Sequence, residues 1–161
     1  PQGACTSPAL SNLIARRLDS RLAGLAEKLG WRYTRYADDT TFSGRGPAAG
    51  KVAYLLARIR HIVQDEGFAV NEKKTRVLRP NAAQTVTGIV VNDRPNVPRK
   101  LVRRLRAILH RARREGLAAQ NRDDHPNFES WIDGMVSYVT MVNPDQGRPL
   151  REALREIQGA R

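Results

Sequence analysis

Cysteine is almost missing from this chain. Cys5 stands alone among 161 residues, so no internal disulfide forms, and no Cys/His cluster has the spacing of a zinc site. That usage fits a reducing compartment, with Cys5 expected as a small packing residue. Long apolar runs are also missing: none approaches the ~20 residues of a membrane span, and no signal peptide is visible. Acidic residues are scarce as well. Asp and Glu number 16 against 28 Lys and Arg, for a formal charge of +12 and a pI near 11.0. Such an imbalance favours a polyanionic partner, nucleic acid ahead of a membrane surface. Disorder is excluded by composition, since 40% hydrophobic and 27% charged residues are ordinary for a globular chain of one domain or two small ones. A methionine start is absent too. The chain opens on PQGACTSP, straight into motif-like sequence, which suggests a fragment, a processed product or one half of a split protein.

The residues present divide into recognisable periods. Residues 6–30 carry Leu10, Leu13, Ile14, Leu18, Leu22, Leu25 and Leu29 at spacings of three and four, the pattern of an amphipathic helix. Thr6 or Ser7 would cap it, Pro8 suits its first turn, and Gly30 ends it. WRYTRY (31–36) alternates like a strand, Ala37-Asp38-Asp39 turns the chain, and Thr40-Thr41-Phe42 returns it. SGRGPAAG reads as a loop. A second amphipathic helix spans 51–66 on the stripe Val52, Leu55, Leu56, Ile59, Ile62 and Val63, and stops at Gly67. Phe68–Val70, Arg76–Leu78 and Thr85–Val91 read as short strands. After the linker-like NDRPNVP (92–98) the pattern turns helical. Leu101, Leu105, Ile108, Leu109 and Ala112 form one stripe, with Arg99, Arg103, Arg106, His110 and Arg113 on another face. Phe128–Val142 and a tail near 148–158 read as further helices. This order favours an α+β fold with helices on one face of an antiparallel sheet.

RYADDTTFS (35–43) sets two carboxylates side by side at a hairpin tip. Asp is a common turn residue, so a solvated turn is one reading. The other is a metal site, because adjacent like charges call for a cation and Mg²⁺ commonly takes one or two protein carboxylates together with substrate phosphates.

The surrounding sequence bears on that choice. Tyr36-Ala37-Asp38-Asp39 resembles the YADD hairpin of reverse transcriptases, in the form found in bacterial retron and group II intron enzymes. PQGACTSPALSNL (1–13) resembles the loop-helix motif that precedes it, GFAVNEKKT (67–75) the helix-strand motif that follows, and VTGIVVN (86–92) the primer-grip region. The four motifs stand in the family's order and cover residues 1–92 almost continuously. The resemblance implies the C-terminal half of a right-hand polymerase palm over 1–96 and a helical thumb over 97–161. It implies Asp38 and Asp39 as catalytic metal carboxylates and Lys74 as a catalytic group facing the leaving pyrophosphate. Gln2, Gly3 and Tyr36 would lie against template, nascent base pair and incoming nucleotide, and Thr87 and Gly88 at the primer grip. It further implies two Mg²⁺ ions, with Mn²⁺ as an alternative, and a bacterial cytoplasmic enzyme. Its partners would be an RNA template, a DNA primer, dNTPs and a cognate structured non-coding RNA. Read without the resemblance, Gln2 and Gly3 are turn residues, Lys74 a solvated lysine and Gly88 a strand bulge.

Thr40 stands where leucine is usual in that family, and Cys5 where proline is common. A larger departure concerns the metal site, which in the family takes another carboxylate from a strand upstream of the PQG motif. The chain is therefore expected to need an N-terminal fingers and palm half, in the same or another chain, for activity. From Arg94 to Arg114 it carries nine Lys or Arg and no acid. Arg99, Arg103, Arg106 and Arg113 share one face, which is either solvated or a phosphate-binding surface. Three functions follow as expectations. The first is RNA-directed DNA synthesis. The second is a non-catalytic RNA-binding module of a split or antiviral-defence protein. The third is an RNA-dependent RNA polymerase, which the YADD context and Val86-Thr87-Gly88 argue against.

Overall fold

The computed structural model describes residues 3–159. Helices and two small antiparallel sheets divide the chain into compact units, Pro1–Val77 and Leu78–Arg161. This is a mixed α+β chain, and the 85–90 hairpin belongs to the same unit as the later helices.

In the first unit, helix α1 (Ser7–Leu29) packs against a hairpin of β1 (Trp31–Tyr36) and β2 (Asp39–Gly44) and against helix α2 (Val52–Asp65). Leu18, Leu22, Ile62 and Val63 form its core, closed by Leu25, Tyr33, Phe42, Ile59 and Val70. Gly30 ends α1 in the left-handed region (φ 74°), its N–H bonded to the Glu27 carbonyl at 3.1 Å. Arg21 of α1 pairs with Asp65 and Glu66 at the end of α2, at 2.9 and 2.6 Å. The loop expected over SGRGPAAG contains the end of β2 and a 3₁₀ helix, Gly46–Lys51.

Several expectations fail here for physical reasons. Neither Thr6 nor Ser7 caps α1: Thr6 already has helical dihedrals and makes no side-chain cap bond, and Ser7 is the first helical residue. Leu10, Leu13 and Ile14 are exposed (55%, 68% and 69%), because the core of this unit is reached only from Ala15 onward. Cys5 is exposed rather than packed. Phe68–Val70 and Arg76–Leu78 form no strands, having no ladder partner among the described residues. Val70 nevertheless packs against the first core.

The second unit is built on α3 (Arg99–Glu115), α4 (Phe128–Val142) and α5 (Pro144–Gly159). Val97, Leu105, Leu109, Leu117, Ile132, Val136, Val139 and Leu154 are its most buried apolar residues, with Leu150 beside them. The tail helix thus begins four residues before the expected 148. Thr85–Val91 is not one strand but two, β3 (Thr85–Val86) and β4 (Ile89–Val90), with Thr87-Gly88 as the turn between them. Both turn residues have positive φ, 47° and 86°, as a type I′ hairpin requires. Gly88 is therefore a turn glycine, not a bulge. No described helix is long and apolar enough to cross a membrane.

Candidate active-site hairpin and basic helix

β1 and β2 pair in register from Trp31↔Gly44 to Tyr36↔Asp39, leaving Ala37 and Asp38 as a two-residue tip. Gly44 is dictated by that register, since a Cβ there would lie 2.6 Å from the Trp31 ring. Alternation along β1 sends Tyr33 inward, 5.1 Å from Phe42 between ring centroids, and leaves Tyr36 outward with 73% exposure. Tyr36, Asp38 and Asp39 thus come together at one exposed tip. Neither carboxylate has a hydrogen-bond or ion-pair partner among the described residues, although the chain is rich in arginine.

The arginine nearest in sequence, Arg35, is engaged elsewhere. Arg35, 9% exposed, sets Nε and a terminal nitrogen on the two oxygens of Asp19 at 2.8 and 2.7 Å. It also donates to the Ala37 carbonyl at 2.7 Å and to Asn12 Oδ1 at 3.1 Å. The Tyr33 hydroxyl donates to Asp19 at 2.6 Å. Arg35 holds the Asp19 carboxyl below its usual range, while burial and then the bond to Asp19 push the Tyr33 phenol up. Sequence reading missed Asp19. It lies 16 residues from Arg35 on another element, and only the folded chain joins them.

Lys74 sits on a separate turn. The Asn71 carbonyl accepts from the Lys74 and Thr75 backbone N–H at 3.1 and 3.0 Å and from the Thr75 hydroxyl at 2.9 Å. The neighbouring Glu72 is taken by Arg60 at 2.6 and 2.9 Å, which leaves the exposed Lys74 without an ion pair among the described residues. Gly3 has φ 83° with nothing within 4 Å of an added Cβ, so backbone conformation, not close approach, calls for glycine. Gln2 lies outside the described residues.

In the second unit, Arg99, Arg103, Arg106 and Arg113 are all exposed on α3, whose opposite side buries Val102, Leu105, Leu109 and Ala112. Arg113 pairs with Glu156 at 2.7 Å, and the other three have no acidic partner among the described residues. Arg106, His110 and Arg113 border a shallow groove floored by Leu109, Pro149, Leu150 and Ala153. Arg104, off this face, pairs with Asp123 and lies 5.2 Å over the Trp131 ring.

No group of three or more His, Cys, Asp or Glu among the described residues is arranged to hold a metal. Two free, solvent-facing carboxylates fit a hard divalent cation that completes its shell with phosphate and water.

The family model for reverse transcriptase (RNA-dependent DNA polymerase) matches residues 1–121, and the chain belongs to that family. The chain is 48% identical over 150 residues to the retron Mx65 reverse transcriptase of Myxococcus xanthus, covering 92% of this chain and 33% of that protein. It is 41% identical over 172 residues to the retron Mx162 reverse transcriptase of the same organism, covering 98% and 34%. Against the retron Ec86 reverse transcriptase of Escherichia coli it is 39% identical over 111 residues, covering 68% and 34%. The chain spans about a third of the length of these relatives.

Proposed function

We propose that this chain supplies the C-terminal part of the palm (1–96) and the thumb (97–161) of a retron-type reverse transcriptase, which extends a DNA primer on an RNA template. One observation carries the reading: Asp38 and Asp39 stand exposed and unpaired at the tip of a hairpin whose shape is held by its neighbours. Exposed adjacent carboxylates with no cationic partner stay available to a divalent cation. Asp38 and Asp39 would hold Mg²⁺, or Mn²⁺ in its place. When bound, a pair of such ions activates an attacking hydroxyl and neutralises a leaving oxyanion.

The remaining roles belong to the chain's own side chains. Tyr36 offers an exposed ring to the nucleotide or primer terminus. Lys74 would neutralise the charge of the departing pyrophosphate. Gln2 and Gly3 would lie against the template and nascent pair. The tight turn at Thr87 and Gly88 would bring backbone close to the primer strand. Arg99, Arg103 and Arg106, with Arg113 weakened by Glu156, would grip the phosphates of an A-form or hybrid duplex or of a cognate non-coding RNA. The reading includes a bacterial cytoplasmic setting, a role in antiviral defence and a need for an upstream Asp-bearing palm strand.

A non-catalytic RNA-binding module is the second reading, supported by the exposed arginine face of α3, which needs no metal to hold phosphate. Primer extension separates the two. Joined to fingers and upstream palm, the chain should incorporate dNTPs in Mg²⁺, and Asp38→Asn should abolish incorporation while primer-template binding persists. RNA binding without turnover in that assembly would establish the module instead. Robust extension by the isolated chain would refute the need for the upstream half.

A further inference from the structure

We propose that Asp19 and Arg35 are positioning residues, a clamp from α1 that fixes the hairpin tip and so aims Asp38 and Asp39. The proposal rests on the catalytic reading of those two carboxylates, and three observations support it.

The tip is a strained turn. Ala37 has φ 52°, a left-handed conformation that Gly, Asn or Asp adopts readily and alanine does not. Alanine also has no polar group with which to bond its own backbone, so whatever holds the turn comes from outside it. That outside group is Arg35. One arm of its guanidinium bonds the Ala37 carbonyl at 2.7 Å, a charge-assisted contact at the strained residue itself.

The guanidinium is in turn fixed to α1. It meets both oxygens of Asp19 at 2.8 and 2.7 Å and Asn12 Oδ1 at 3.1 Å, and Tyr33 holds Asp19 from the side at 2.6 Å. A planar fork bonded to a carboxylate on one side and a carbonyl on another has little freedom left, and lysine cannot reproduce it.

An ion pair serving only to join elements would need no arm on the turn. Arg60 and Glu72 make such a pair in the same unit, equally bidentate but half-exposed, with no bond to a strained backbone. Arg35 is 9% exposed and reaches three partners.

The test uses Asp19→Asn and Arg35→Lys, with Arg21→Ala as a control that removes the α1–α2 ion pairs instead. In the 161-residue chain, ¹⁵N relaxation should show order parameters at 37–39 falling from about 0.85 to below about 0.6 in both clamp variants and not in the control. In the assembled polymerase both should lose kcat by about 10- to 100-fold, the scale expected for a small misplacement of reacting groups, with little change in KM for dNTP or in primer-template affinity. Unchanged order parameters at the tip would overturn the clamp. A loosened tip with unchanged kcat would overturn its role in the reaction. Retained activity of Asp38→Asn would instead refute the catalytic reading, and the relaxation data would still decide whether the clamp exists.

Discussion

Gly147 offers a sharp test of how α4 and α5 meet. A Cβ at this position would lie 2.3 Å from Thr140 Cα, 2.6 Å from Thr140 Cβ and 2.4 Å from its Oγ1. The nearest of these is backbone, so no rotamer change relieves the clash. The Thr140 hydroxyl is also fixed, donating to the Val136 carbonyl at 2.7 Å. To restore ordinary contact the two helices must part locally by roughly 1 Å, a gap that forfeits a quarter to a half of each affected dispersion contact. The core at risk includes Val136 and Val139 of α4 and Leu150 and Leu154 of α5. Overpacking usually costs about 1–3 kcal/mol, and a backbone clash puts Gly147→Ala near ~3 kcal/mol. For a unit of this size that corresponds to a Tm lowered by about 12–24 °C. Gly134 is the internal control: it lies within α4 with nothing within 4 Å of an added Cβ. Gly134→Ala should therefore gain about 0.5–1 kcal/mol from helix propensity alone. Urea titration followed by circular dichroism at 222 nm measures both. If Gly147→Ala falls within about 0.5 kcal/mol of the wild type, the α4–α5 packing described here is wrong.

Other substitutions probe the turn, the basic face and the clamp. Thr87→Asn converts a β-branched residue at φ 47° into the preferred Asn-Gly turn and should raise stability by about 1 kcal/mol; a lower urea midpoint would refute the strain argument. Arg103→Ala and Arg106→Ala should each reduce the salt dependence of duplex binding, by roughly 0.7 to 0.9 in log-log slope. Arg113→Ala, already paired with Glu156, should reduce it less. Fluorescence anisotropy across salt concentrations measures these slopes, and unchanged slopes would make the face merely solvated. The depressed Asp19 carboxyl contributes stability that is present above the ordinary carboxylate pKa and lost as pH falls through and below it. Asp19→Asn should therefore be less stable than wild type at pH 7, with the difference shrinking below about pH 4. An equal difference at pH 7 and pH 3 would contradict the Asp19–Arg35 bond.

The long helices and β1 were legible because period alone defines them: α1, α2, α3 and α4 each follow three-and-four spacing, and WRYTRY alternates. What period cannot supply is the covering surface. Leu10, Leu13 and Ile14 continue the apolar face of α1, yet no part of their own unit buries them. Strand propensity misled at 68–70 and 76–78 because a strand exists only with a neighbour to bond. The hairpin at 85–90 was hidden because Thr-Gly is a weaker turn signal than Asn-Gly, and the positive φ of Thr87 is set by context. At the site, Tyr36, Asp38 and Asp39 were readable as a contiguous motif. Asp19 was not, for a lone aspartate in an amphipathic helix gives no sign that it meets an arginine on a strand. The pairing of Arg113 with Glu156 was equally invisible, 43 residues apart.

A sheet of two strands has two open edges. Among the described residues, the outward N–H and C=O groups of β1 and β2 bond to no third strand, and the hairpin between them is well formed and regular. Such edges are templates: they accept whatever extended segment is available, correct or not. The hairpin that carries the two aspartates is thus also a surface open to an added strand. Isolated at high concentration, this chain should self-associate through strand addition beside its own aspartates.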